Sequence, residues 1–374
     1  MRPPMQDRSK LPPGVQLPLN LGLNDGTYAP TKCLEVLRRF TERTDLRNYS
    51  TPDNAPLREA IARTDQVAPE HVFLHCGTGP ILKLAIPYLL KRMVMTSPRR
   101  LLRHAVSKAG YPIITPRFTY SKVPRKAIEG GMHVDFLPLD PGNDFTFDVT
   151  RLERRLERGD GLVYLCSPNN PTGNVLITRE QLVPLLERFP DSRFYLDEAY
   201  VQYIDPREHE YLSPLVARYP NLMVARTFSF AYGMAGVRIG YLLAKPSFVN
   251  ELEKQLTDYR LGTLQEQLGV AALEDADHLP WVREQTRIAR ETLYAGLARV
   301  PGVQAFPSQV NFILCRFTDG RRASELKAKL AQRGVLIKTF EPVNGETYDP
   351  YFRLTVGVPA ENEFLVEQLG EVLG

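Results

Sequence analysis

The sequence has no excess of either charge, no dense cysteine framework and no long apolar run, and each absence narrows what it encodes. Forty-seven basic residues stand against 43 acidic ones, a formal net charge of +4 over 374 residues. That balance is too even for a nucleic-acid-binding face, and the basic residues fall on no RNA- or DNA-binding signature. The four cysteines, Cys33, Cys76, Cys166 and Cys315, never stand in a CxxC spacing, and no histidine cluster accompanies them. They read as buried free thiols rather than a metal or redox centre, which suits a reducing, cytoplasmic setting. No stretch approaches the roughly 18 apolar residues that a membrane span requires. Met1–Lys10 lacks the apolar core of a signal peptide. Repeats and low-complexity tracts are missing too. The remainder is an ordinary globular composition, 43% hydrophobic and 24% charged. No metal, no nucleic acid and no membrane are expected among its partners.

Residues 1–20 are rich in proline and polar groups and read as an arm. From about residue 71, short apolar strands alternate with helices. The strands are His71–Cys76, Met132–Leu139, Leu162–Cys166, Phe194–Leu196 and Leu222–Thr227. The helices are Pro80–Met95, Val149–Arg158 and Thr178–Arg188, the last opening with a capping-box pair, Thr178 and Gln181. This alternation predicts an α/β fold, a mostly parallel sheet with helices on both faces. Helices at Pro246–Thr257 and Leu279–Ala298 follow. Strands at Asn311–Phe317, Val335–Lys338 and Phe352–Val356, with helices at 322–332 and 360–372, predict a small α+β domain. The expected division is an arm at 1–44 that joins the small domain, a large domain at 45–278 and the small domain at 279–374. Between Lys91 and Lys108 lies a basic run with Arg92, Arg99, Arg100, Arg103 and His104. It reads either as a solvated segment or as a site for an acidic partner.

Four short motifs carry chemistry. Ser167-Pro168-Asn169-Asn170-Pro171-Thr172-Gly173 follows a buried strand, where ligands of parallel sheets bind; an Asx-rich turn reads the same way. Asp197, in Leu196-Asp197-Glu198-Ala199-Tyr200, ends the next strand. A carboxylate there needs a positive partner such as a protonated ring nitrogen, unless it caps a helix. Arg226-Thr227-Phe228-Ser229, with Arg238 downstream, offers hydroxyls and a guanidinium for a phosphate. Gly77-Thr78-Gly79-Pro80 joins a strand to a helix, so its amides and hydroxyl can meet an anion at a positive helix end. The last two, taken alone, are also ordinary loops.

Taken in order, Gly77-Thr78-Gly79, Asn169-Asn170-Pro171-Thr172-Gly173, Leu196-Asp197-Glu198-Ala199-Tyr200 and the 226–241 segment resemble the class I/II, fold-type-I aminotransferases that use pyridoxal 5'-phosphate. The histidinol-phosphate aminotransferase branch is the most similar. The resemblance runs from about Asn24 to the C-terminus, and Ser308-Gln309-Val310-Asn311-Phe312 and Phe352-Arg353-Leu354 match that branch as well. It implies a seven-stranded type of sheet. It implies that Asp197 holds the pyridine nitrogen and that Asn170 and Tyr200 touch the ring 3-oxygen. Phe118 takes the place of the stacking aromatic. Thr78, Gly79, Thr227, Ser229 and Arg238 bind the phosphate. Tyr49 reaches the phosphate of a neighbouring subunit, so a homodimer is implied. Arg353, with Asn311 and Asn24, grips the carboxylate of an amino or keto acid.

The pattern breaks at one residue. The family reads Ser-Lys-Ala where this chain reads Ser229-Phe230-Ala231, and Ser229, Gly236, Arg238 and Gly240 keep register around it. The missing lysine would bond the cofactor covalently and move a proton; Phe230 does neither. Lys83, Lys245 and Lys338 are the candidates to replace it. The expectation is an aminotransferase-like protein that binds pyridoxal or pyridoxamine phosphate non-covalently, with ordinary transamination lost or altered. The other reading is a dimeric scaffold without catalysis.

Overall fold

The computed structural model describes residues 11–43, 48–95, 112–130, 132–256, 260–342, 345 and 347–374. Seven strands form the main sheet: β1 (Val72–His75), β2 (Ile113–Pro116), β3 (Val134–Leu137), β4 (Leu162–Cys166), β5 (Arg193–Asp197), β6 (Leu222–Thr227) and β7 (Gly240–Leu243). Their order across the sheet is β1-β7-β6-β5-β4-β2-β3. All pairings are parallel except those of β7, which runs antiparallel to β6 and β1. The central strands are buried on both faces, which is why β4 and the first four residues of β6 read as apolar runs. One core layer holds Leu57, Val163, Leu196, Val224 and Leu243. The opposite layer holds Phe73, Ile81, Tyr164, Tyr195 and Leu242.

A second sheet has four strands, β8 (Val303–Ala305), β9 (Phe312–Phe317), β10 (Lys338–Thr339) and β11 (Tyr351–Thr355), in the order β8-β9-β11-β10. Helices Ala323–Gln332 and Pro359–Leu373 contribute Leu326, Leu330, Phe364 and Leu365 to its core. The 20-residue helix His278–Leu297 contributes Ala289 and Leu293 to the same core. The N-terminal segment divides. Leu19–Asn20 pairs in parallel with Val335–Leu336 beside the small sheet, whereas Cys33 and Val36 of helix Thr31–Arg43 join the core of the large one.

Several expectations shift in detail. The helix expected at Pro80 starts at Thr78, so Pro80 is its third residue rather than its first. The helix expected over Pro246–Thr257 ends at Glu253, and Thr257 lies outside the described residues. Strand β2 and helix Thr263–Glu274 had no counterpart in the sequence reading. Thr178 and Gln181 do close a capping box. The four cysteines are free, with Cys76 only half-buried. In the basic run, Lys91 and Arg92 are exposed on their helix; Arg99, Arg100, Arg103, His104 and Lys108 lie outside the described residues.

Candidate functional site

The carboxyl ends of the parallel strands open onto a cavity of about 560 Å³. Because the chain turns back at each strand end, residues far apart in sequence meet there. Thr78 and Gly79 enter after β1, Phe118 after β2, Asn170 after β4 and Tyr200 after β5. Thr227, Ser229, Phe230 and Arg238 surround the β6–β7 connection, and Arg353 reaches in from the small sheet.

One end of the cavity is built for an anion. Thr78 opens helix Thr78–Met95, whose first-turn amides have no acceptor within the helix. Ser229 N–H donates to Thr227 Oγ1 at 3.1 Å, and the two hydroxyl oxygens stand 2.9 Å apart. Arg238 adopts a left-handed φ of 62°, a costly backbone for a residue with a long side chain, and its guanidinium lies over Gly77. Gly77 has a φ of 95°, which favours glycine, and a Cβ there would stand 2.6 Å from Arg238 Nη2.

Asp197, 4% exposed, ends β5 behind the cavity and is not among the residues that line it. Its Oδ2 accepts the Tyr164 hydroxyl at 3.0 Å, but Oδ1 has no hydrogen-bond partner. No cation pairs with it among the described residues. Burial pushes its pKa up to about 6, and neighbouring Glu198 pushes the same way. A buried carboxylate with an idle oxygen is costly.

Tyr200 is buried, and its hydroxyl oxygen accepts from Asn24 Nδ2 at 3.1 Å and Asn170 Nδ2 at 3.2 Å. Burial raises its pKa, so the phenol keeps its proton. With both acceptor positions used, that proton is left to donate. Arg353 is 5% exposed. It donates through Nη1 to Asn170 Oδ1 at 2.5 Å and through Nη2 to the Gly22 carbonyl at 2.7 Å, while Nε has no partner. No carboxylate pairs with this buried cation among the described residues, and its guanidinium stacks on Phe312 at 5.1 Å.

Phe230 is half-buried in the cavity wall. Its ring lies on that of Tyr200, 4.3 Å between centres and 16° from parallel. Tyr200 in turn meets Phe312 edge-on at 5.0 Å. The position thus belongs to an apolar cluster with Ala231, Val282 and Val310. The backbone on either side is gripped by the N-terminal segment: a Cβ on Gly26 would collide with the Phe230 carbonyl and stand 2.7 Å from Gly233 Cα.

The replacement lysines fare unequally. Lys83 and Lys245 are exposed and do not line the cavity; β7 runs antiparallel and carries Lys245 to the opposite end of the sheet. Lys338 does line it, and burial, then the nearby Arg353, lowers its pKa. Lys122, unforeseen, lines it too, with its amine 5.8 Å from the Tyr120 ring centre. Phe118 presents its ring to the cavity but has Tyr348 stacked on it at 4.5 Å and 6°. Asn24 and Asn311 sit behind the wall, where Asn311 Nδ2 donates to the Asn24 carbonyl at 3.0 Å. Tyr49 is 81% exposed and does not line this chain's cavity. Sequence reasoning missed Tyr164. Its signal was a phenol in an otherwise apolar strand, at the third position before the site loop.

This arrangement has counterparts in known proteins. The family model for class I and II aminotransferases matches residues 17–369. A histidinol-phosphate aminotransferase of Anaeromyxobacter sp. is 34% identical over 363 residues, covering 96% of this chain and 92% of the relative. One from Roseiflexus castenholzii is 31% identical over 376 residues, covering 98% and 92%. The crystal structure of histidinol-phosphate aminotransferase from Sinorhizobium meliloti in complex with pyridoxal-5'-phosphate superposes with a TM-score of 0.79, at 25% identity, over 96% of this chain and 92% of that one. L-threonine-O-3-phosphate decarboxylase from Porphyromonas gingivalis shares the fold, with a TM-score of 0.73 at 24% identity over 95% and 99%. Motif order, sheet topology and near-complete coverage agree, and the chain belongs to the class I and II aminotransferase family.

Proposed function

We propose that the protein binds pyridoxal or pyridoxamine phosphate without a covalent link and acts on an amino or keto acid, with ordinary transamination lost or altered. The observation that carries this reading is a pair of unmet charges around an intact cavity. Asp197 Oδ1 and Arg353 Nε are both buried without partners, while the residue that would bond the cofactor is Phe230. A protonated ring nitrogen matches the first vacancy in hydrogen bonding, and a carboxylate matches the second. The residues present therefore fit the group.

Bound there, the cofactor supplies an electron sink for bonds at the amino-acid carbon. The protein supplies the rest. Thr78, Gly79, Thr227, Ser229 and Arg238 hold the phosphate, Asp197 fixes the ring nitrogen, and Asn170 and Tyr200 meet the ring oxygen, Tyr200 as a donor. Phe118 flanks the ring. Arg353, seated by Asn170 and Gly22, orients the carboxylate, and Asn24 and Asn311 hold that seat. Phe230 leaves an apolar wall with no group to take up a proton. The exposure of Tyr49 in a single chain supports a homodimer in which it serves the neighbouring cavity.

Titration calorimetry with both cofactor forms tests the reading. Micromolar binding is expected, borohydride should fix no cofactor to the chain, and Phe230→Lys should introduce covalent attachment. No binding of either form at millimolar concentration would sink it. Binding without turnover on any amino or keto acid would favour a non-catalytic scaffold.

A further inference from the structure

Asp197 and Thr227 hold opposite ends of the proposed ligand. Each has a chain neighbour whose charge lies on the other face of the sheet. Asp197 belongs with Tyr164 on one side. Glu198 and Arg226 meet on the other, together with Asp65 and Tyr241. Arg226 Nε and Nη2 donate to Glu198 Oε2 at 2.9 and 2.6 Å. Its Nη1 pairs with Asp65 Oδ1. Asp65 also accepts the Ser213 hydroxyl at 2.7 Å and the Tyr241 hydroxyl at 2.8 Å. The ring of Tyr211 covers the guanidinium at 4.5 Å.

The place of this cluster in the ladder gives it meaning. Asp197 is the last residue of β5 and stands opposite Ala225. The final rung is Glu198 N–H to the Ala225 carbonyl, at 2.9 Å. Beyond it the chain turns toward Tyr200, and strand ends are where sheets fray. The forked contact between Glu198 and Arg226 clamps the two strands at that point. Asp65 ends helix Ala55–Asp65 and anchors the clamp to a third element. Arg suits this task because its planar fork fixes both distance and angle.

We infer that Arg226, with Glu198 and Asp65, is a positioning cluster that sets the spacing of Asp197 and Thr227 from behind the sheet without touching the ligand. Its role toward the ligand rests on the binding mode proposed above, but its hold on Asp197 does not. Burial is the main cause that opposes ionisation of Asp197, and the charge of the adjacent Glu198 adds to it, against the Tyr164 hydroxyl and the Ala199 amide. Other titratable groups near Asp197 are Tyr164, Tyr195, Tyr120, Tyr200 and Cys166.

Carboxylate-resolved NMR titration of the cofactor-free protein, paired with pyridoxal phosphate binding, tests the inference. Glu198→Gln keeps the shape and removes the charge. The Asp197 midpoint should fall from about 6, and the dissociation constant for pyridoxal phosphate should rise roughly tenfold. Arg226→Lys, which keeps the charge but not the fork, should give part of the same loss, and it serves as the test if Glu198→Gln does not fold. Leu293→Ala, buried in the small-domain core, is the destabilised control and should move neither quantity. The inference is overturned if the Asp197 midpoint stays put in Glu198→Gln, or if Leu293→Ala shifts it equally. A parent protein that binds no pyridoxal phosphate would end the proposed function, yet the Asp197 titration would still decide this point.

Discussion

Asp197 and Glu198 are consecutive carboxylates, 4% and 1% exposed, at the end of one strand. Glu198 meets a guanidinium within the chain. Asp197 meets one phenol and keeps an oxygen idle. At the rear, Glu198 and Asp65 share one guanidinium, although Glu198 Oε1 is idle too; at the front, Asp197 has no cation beside it among the described residues. Burial alone therefore does not distinguish a stabilising charge from a functional one; the presence of an internal partner does.

The contrast can be broken most severely from the rear. Arg226→Met leaves Asp65 and Glu198 facing each other without a cation and should lower stability by about 3–5 kcal/mol, read from urea unfolding. A loss under about 1 kcal/mol would mean that the two carboxylates escape into water. From the front, the sign reverses. The folded-state pKa of Asp197 is raised from 3.8 to about 6, so its contribution to stability is full below the unfolded value and is lost as pH rises through the folded one. Asp197→Asn should stabilise the cofactor-free protein above pH 6 by up to roughly 3 kcal/mol, and hardly at all at pH 3.5. Melting temperatures across that range check it. Phe230→Ala removes a half-buried ring stacked on Tyr200 and should cost about 2 kcal/mol, below the range for a fully buried Phe. Thermal unfolding would show it. Arg238 is exposed, so Arg238→Ala should change stability by no more than about 0.5 kcal/mol. It should weaken pyridoxal phosphate binding about tenfold or more, which calorimetry would separate from any stability effect.

The sequence made the front of the sheet legible and left the rear dark. Leu162–Cys166 declares itself as a buried strand because no charged residue interrupts it, and the turns after such strands are where ligands gather. Asp197, Ser229 and Arg238 could be placed from motif order alone. Arg226 stood in the same motif but carried no role, since its partner Asp65 is 161 residues away in sequence and only the folded ladder brings them together. Strand β2 was missed because it is four residues long and ends in proline. Helix Thr263–Glu274 was missed because it is apolar on several sides, with Leu268, Gly269, Ala271 and Ala272 all buried, so no clean amphipathic period marks it. The cavity lysines show the same limit. Lys338 stood among the candidates, but nothing around Lys122, on a helix far from it in sequence, announced that it shares the same cavity.

The grip of Gly26 on the Phe230 carbonyl bears on where this chain can be cut. Gly22, Leu23 and Asp25 line the cavity, and the Gly22 carbonyl seats Arg353. A protease cut between residues 14 and 30 would detach one wall of the cavity, and an expression product begun at Thr31 would lack it. Such a product should keep the large-sheet core and lose Arg353 from its seat.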